Sequence, residues 1–322
     1  MRYLARRVGH AVLVLFGVSF LSFALAEAAP GDVMDELRLD PRVSEATIAA
    51  LRERYALDRP FPEKYVHWLG SVARGELGFS VAYQSAVGPL VGPRARNTLL
   101  LTVPATALAW LIAVPVGAWA ASKRGGLTDR VIAGVMTTLL SVPEVVLGLC
   151  LLVIALRTGA FPTGGMASSG FAELSLWDQL RDVGSHLTLP VAGLTALILP
   201  PILRHVRASV IDVLHAPFIV AARAQGMPHR RVLFRYALRA AANPLVTLLG
   251  LSIGGLLGAS LVIETIMSWP GLGPLMLQAV SARDLHLVVG VVTCSTALLV
   301  GGSLIADTLL YATDPRLRAE RS

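Results

Sequence analysis

The side chains able to do chemistry in this 322-residue chain are few and scattered, with only 15% Asp, Glu, Lys or Arg against about 25% in soluble domains. Glu144 is the outstanding case. It follows Pro143 inside an apolar run, and a charged group at the centre of a bilayer costs about 2.5–3.5 kcal/mol on insertion scales. Such a carboxylate either faces a water-filled path or a cationic group, or is protonated or hydrogen-bonded at a helix kink. Glu264, Arg283 and Asp284 stand near the ends of two later apolar runs, where capping a helix is open to them. Arg231, Arg235 and Arg239 recur at i, i+4 and i+8, the spacing of a positive stripe on one helix face. No His, Cys and carboxylate set has metal-ligand spacing. Cys150 and Cys294 lie in apolar runs and read as small hydrophobes. Nothing reads as GxxxxGK[ST], so the chain has no loop of its own for nucleotide phosphates.

These groups are carried by apolar elements. Hydrophobic residues make up 54% of the chain and its mean hydropathy is +0.65, which calls for surrounding lipid. About 20 apolar residues in a helix cross a hydrocarbon core about 30 Å thick. Six runs qualify: 8–28, 98–121, 131–156, 187–203, 244–266 and 285–310. None alternates as a barrel strand would. The expected fold is therefore all-α and polytopic, with six transmembrane helices.

Placement of the basic residues sets the orientation. Arg2, Arg6 and Arg7 precede the first run; Lys123, Arg124 and Arg130 follow the second; seven arginines fill 204–242; Arg316, Arg318 and Arg321 follow the last. The short segments on the other side hold Arg157, Arg181 and Arg283. The chain is thus expected to be N-in/C-in, with 204–242 in the cytoplasm, and its net charge of +7 calls for no nucleic-acid partner. The front of the chain also resembles a signal peptide ending at Ala24-Leu25-Ala26, but its apolar run exceeds the 7–15 residues of a signal core. Three regions follow: a first span at 1–28, an extracytoplasmic segment at 29–96, and a five-helix core at 97–322. In the second region Ser44 can cap a helix reaching about Tyr55. Tyr65, Trp68, Leu69 and Val72 form one apolar face of another, suited to packing against spans more than to touching substrate.

The basic segment from Arg204 to Pro244 has helical punctuation. Pro217 suits the first position of a short helix, Gly226 its C′ position, and Pro228 prevents continuation. Between them Ala221, Ala222 and Ala224 let another protein surface approach closely. Lipid headgroups would hold the arginines, but they give no reason for a short Ala-rich, Gly-terminated helix.

Phe218-Ile219-Val220-Ala221-Ala222-Arg223-Ala224-Gln225-Gly226, then Tyr236-Ala237-Leu238-Arg239 and Pro244, resemble the EAA-type loop of ATP-binding-cassette importer permeases. The resemblance is to the dipeptide/oligopeptide/nickel (DppB/OppB-like) branch and extends over nearly the whole chain. It is carried by Pro30-Gly31-Asp32, Leu57-Asp58-Arg59-Pro60, Gly75-Glu76-Leu77-Gly78-Phe79-Ser80, Asn97-Thr98-Leu99, Pro115-Val116-Gly117, Glu264-Thr265, Pro270-Gly271-Leu272-Gly273, Arg283-Asp284 and Asp314-Pro315-Arg316. Val220 and Gln225 stand where that branch usually has bases, Tyr236 where it has His, and Met267 where it has Phe.

The resemblance implies a type I importer permease fold in the cell membrane of a prokaryote, with no catalytic or cofactor site in this chain. It implies a second permease subunit, two ATP-binding subunits that use ATP and Mg, and an extracytoplasmic substrate-binding protein. Pro217, Phe218, Ala221, Ala222, Ala224, Gly226, Arg231 and Arg235 are then expected to couple to the ATPases, with Ala222 and Gly226 as the tightest contacts. Glu144, Glu264, Arg283 and Asp284 are the expected substrate-path residues. Peptide is the expected substrate, with nickel or a metal chelate as the alternative. A membrane-embedded enzyme or an ion channel is the reading of a different class.

Overall fold

A computed structural model describes residues 2–28, 44–45 and 59–313. Its helices are α1 (Arg2–Ala28), α2 (Phe61–Ala73), α3 (Val87–Ser122), α4 (Leu127–Ser141), α5 (Glu144–Thr158), α6 (Leu176–Leu214), α7 (Pro217–Ala224), α8 (His229–Arg231), α9 (Leu238–Ala240), α10 (Ala242–Ile266), α11 (Leu272–Ser281) and α12 (Leu285–Thr313). A two-residue hairpin pairs β1 (Phe79–Ser80) with β2 (Ser85–Ala86) ahead of α3. A π-helical turn, Val232–Ala237, joins α8 to α9. Most of the helix expected from Ser44 to Tyr55 lies outside the described residues, as do Pro30-Gly31-Asp32 and Asp314-Pro315-Arg316.

Among the described residues, four helices are long and apolar enough to cross a membrane, within α1, α3, α6 and α12. The fifth candidate is a bent pair. The run 131–156 was expected as one span, but α4 and α5 meet at 97° around Val142-Pro143. Proline lacks the N–H that would continue the ladder, and the residue before it is driven to extended backbone; Val142 has φ −83° and ψ 119°. The 25-residue α10 occupies the fifth expected run.

The helix over 187–203 is also longer than expected. α6 runs for 39 residues, so Arg204 and Arg207 lie on it rather than in a loop. Ser175 caps its start by accepting from the Asp178 N–H. Pro190, Pro200 and Pro201 lie inside it. Neighbouring helices support such prolines in membrane proteins, and here Leu199, Pro200, Ile202 and Leu203 are all buried.

The described chain forms two compact units, one of residues up to 99 with 270–300, the other of 100–269 with the residues from 301. In the first unit, α2 packs on α1. Tyr65 and Trp68 are buried with Phe23 and Val289, and the Tyr65 ring meets Phe16, Phe20 and Phe23 edge-on. The expected packing face is therefore present, except that Leu69 points outward. Ser19 and Tyr65 share a hydroxyl hydrogen bond of 2.9 Å, and Lys64 pairs with Glu27 at 2.5 Å. In the same unit the Asn97 amide donates to the Pro270 carbonyl at 2.8 Å and the Leu272 N–H donates to Thr98 at 2.9 Å. In the second unit, a core of Ala109, Ala113, Ala118, Met136, Leu203, Val206, Val210 and Ile219 joins α3, α4, α6 and α7. A neighbouring core holds Leu101, Ala105, Leu194, Leu256, Ile263 and Trp269.

Candidate functional site

The segment after α6 is shaped by its own backbone chemistry. Ala216 is extended and hands over to Pro217 at the first position of α7, where the missing N–H costs nothing. At the other end the Gly226 N–H donates to the Arg223 carbonyl at 2.9 Å and the Met227 N–H to the Ala222 carbonyl at 3.3 Å. This closes a Schellman motif, which needs a left-handed residue at C′. Gly226 supplies it at φ +78°. The expected Pro-to-Gly helix is therefore present, ending at Ala224.

Its two faces differ. Ile219 and Ala222 are buried, at 0% and 6% exposure, and Ile219 packs into the core with α6 and the π-helical turn. Ala222 thus packs within its own chain, contrary to its expected place on the contact surface. Phe218 and Val220 are 51% and 56% exposed, flanked by exposed Pro217, Ala221, Arg223, Ala224 and Gly226. Isolated exposed apolar residues are ordinary on a surface. Here Phe218 and Val220 share one short helix with small alanines, a composition that accommodates a protein partner.

The basic stripe expected on one α-helix is interrupted. Val232–Ala237 winds as a π-helix between α8 and α9, which is rare and often found at functional sites. The extra residue per turn sets Val232, Leu233 and Ala237 into the core. Arg231, Arg235 and Arg239 remain exposed, beside exposed Phe234.

Glu144 occupies the break between α4 and α5. It is the first residue of α5, and its side chain is exposed rather than inside a continuous helix. A carboxylate in a first helical turn is favoured by the helix dipole. α5 packs against α10 where Gly148 meets the Ile266 side chain. Glu264, on α10, is fully buried, and its carbonyl accepts from the Trp269 N–H at 2.8 Å.

Arg283 and Asp284 adjoin each other in the first unit with different surroundings. Arg283 is exposed with φ +51°. Asp284 is buried, and its carboxylate accepts from the Ser80 hydroxyl at 2.7 Å, the Ala82 N–H at 3.1 Å and the Leu287 N–H at 3.1 Å. Asp284 therefore caps α12 and holds the β-hairpin, which gives its carboxylate a structural occupation.

One pair joining α4 and α6 has no forecast in the sequence. Asp129 on α4 is buried and accepts from Arg207 on α6 through Nε at 2.6 Å and Nη2 at 2.8 Å, and from the Gly125 N–H at 2.9 Å. The available signal was an acid three residues past a Gly-Gly turn in an otherwise basic loop. Among the described residues, no group of three or more His, Cys, Asp or Glu side chains is arranged to hold a metal ion.

Known proteins match this chain along its whole length. Over 317 residues the chain is 36% identical to the oligopeptide transport system permease protein AppB of Bacillus subtilis, covering 98% of each. It is 32% identical over 323 residues to the oligopeptide transport system permease protein OppB of Mycobacterium bovis, covering 98% of this chain and 99% of that one. It is 31% identical over 338 residues to the dipeptide transport system permease protein DppB of Escherichia coli K12, covering all of both. Residues 1–93 match the N-terminal region of binding-protein-dependent transport system membrane components. Residues 113–319 match the family itself, and the chain belongs to the binding-protein-dependent transport system inner membrane components.

Proposed function

We propose that this chain is the transmembrane permease subunit of an ATP-driven importer and forms half of the path for peptides. The observation that carries the reading is α7, anchored by Ile219 and Ala222 while Phe218 and Val220 face outward. A helix so held can receive a partner and transmit its movement. The partners are two ATP-binding subunits, which supply the ATP and Mg chemistry, a second permease subunit, and an extracytoplasmic binding protein that delivers substrate. Peptide is favoured over nickel because the similar proteins named above are oligopeptide and dipeptide permeases. With six spans and both termini inside as part of this reading, α7 faces the cytoplasm and the ATPases.

In this reading Pro217, Phe218, Ala221, Ala224, Gly226, Arg231 and Arg235 make or frame the ATPase contact, and Ala222 holds the helix from behind. Glu144 serves the substrate path at the break of the third span, with Glu264 and Arg283 as further path residues. The test is affinity purification from the native membrane followed by mass spectrometry, then reconstitution with the recovered subunits. ATP-dependent uptake of labelled di- or oligopeptide is the expected result. Uptake of nickel without peptide would overturn the substrate assignment, and purification as a homo-oligomer without ATPase subunits would favour a channel.

A further inference from the structure

The docking helix is fastened to the end of α6. Ile219 shares a core with Val210, Ile211 and Leu214 of α6 and with Val232, Leu233 and Ala237 of the π-helical turn, and Ala222 beside it on α7 is buried as well. Only His215 and Ala216 separate the two helices. A displacement of α7 must therefore carry the last turns of α6 with it, because close-packed side chains move as a body.

Arg207 lies seven residues before the end of α6, about two helical turns or ~10 Å away. Its guanidinium meets both oxygens of Asp129, at 2.6 and 2.8 Å, and the third donor to that carboxylate is the Gly125 N–H. A bidentate fork fixes orientation as well as distance, which a lysine point charge does not. Asp129 is buried in the first turn of α4. The far end of α4 is the 97° break that carries Pro143 and Glu144.

We propose that Arg207 and Asp129 are a positioning pair that passes displacement of the docking helix α7, through α6, to α4 and so to the break at Glu144. This rests on the importer reading. The pair touches no substrate; it makes the start of α4 follow rotation of α6 as well as translation. The apolar contacts between α4 and α6 set no orientation of their own, whereas the two-point ionic contact must either turn with α6 or separate.

The test uses the complete complex in lipid nanodiscs with its substrate-loaded binding protein. Assembly, basal ATPase, stimulated ATPase and peptide uptake are measured for the wild type, R207K and the neutral double variant D129N/R207Q. R207K is expected to assemble with wild-type basal ATPase while stimulation and uptake fall about tenfold. The double variant leaves no buried charge unpaired, and it decides the matter if R207K does not assemble: assembly with the same loss of stimulation supports the proposal. Wild-type stimulation in either variant, or a loss of stimulation that only tracks lost assembly, overturns it. A wild-type complex with no stimulation at all would instead sink the importer reading.

Discussion

Ser80 donates its hydroxyl to the Asp284 carboxylate at 2.7 Å, joining residues 204 positions apart in the chain. Two of the short motifs that carry the family resemblance, Gly75–Ser80 and Arg283-Asp284, thereby meet. Asp284 also receives the Ala82 and Leu287 N–H groups. Removing a buried acceptor strands its donors, so Asp284→Ala is expected to destabilise the protein by about 2–3 kcal/mol. The check is detergent-solubilised thermal unfolding, with Asp284→Asn retaining part of the loss. An unchanged melting temperature together with altered peptide preference would place Asp284 in the substrate path instead.

Gly78 has φ +106°, and a Cβ there would lie 2.6 Å from the His286 ring. Gly78→Ala therefore meets both backbone strain and a clash, at a cost of about 2 kcal/mol. Gly78→Ala paired with His286→Ala should recover part of that cost, which a double-mutant cycle by thermal unfolding can read.

Adjacent residues on α7 should behave oppositely. Ile219 is fully buried, so Ile219→Ala is expected to cost about 3 kcal/mol and reduce the amount of folded protein. Phe218 is half exposed, so Phe218→Ala should leave folding intact and reduce co-purification of the ATPase subunits several-fold. Equal effects of both substitutions on folding would remove the distinction between the faces.

Glu144 is exposed at the start of α5. Glu144→Gln is expected to leave the unfolding free energy within about 0.5 kcal/mol of wild type, as for exposed positions generally. If the carboxylate serves the path, uptake of peptides with a free amino terminus should fall more than uptake of amino-blocked ones. Equal uptake of both by the variant and the wild type would assign Glu144 no role in transport.

What the sequence displayed was the chemistry that local backbone rules govern. Pro217 and Gly226 bracket α7 because one lacks an N–H and the other tolerates a left-handed conformation, and both effects act within a few residues. The apolar runs were legible for the same reason, since span length follows from bilayer thickness. Proline alone was not informative: Pro143 ends a helix, while Pro190, Pro200 and Pro201 remain inside one. The difference lies in surrounding support, which only tertiary packing supplies. Likewise Ala222 and Ala221 have the same side chain, and only tertiary packing decides which is covered. The Arg207–Asp129 pair spans 78 positions, and neither residue carries a local mark of the other.

The prolines of α6 have a mechanical consequence. Pro200 and Pro201 offer no N–H to the carbonyls four residues earlier, on Ala196 and Leu197. Two rungs of the helical ladder are thus absent side by side, just N-terminal to the stretch that carries Arg207. Curvature introduced there has two fewer backbone hydrogen bonds to strain, so the long helix is expected to bend there more readily than on either side.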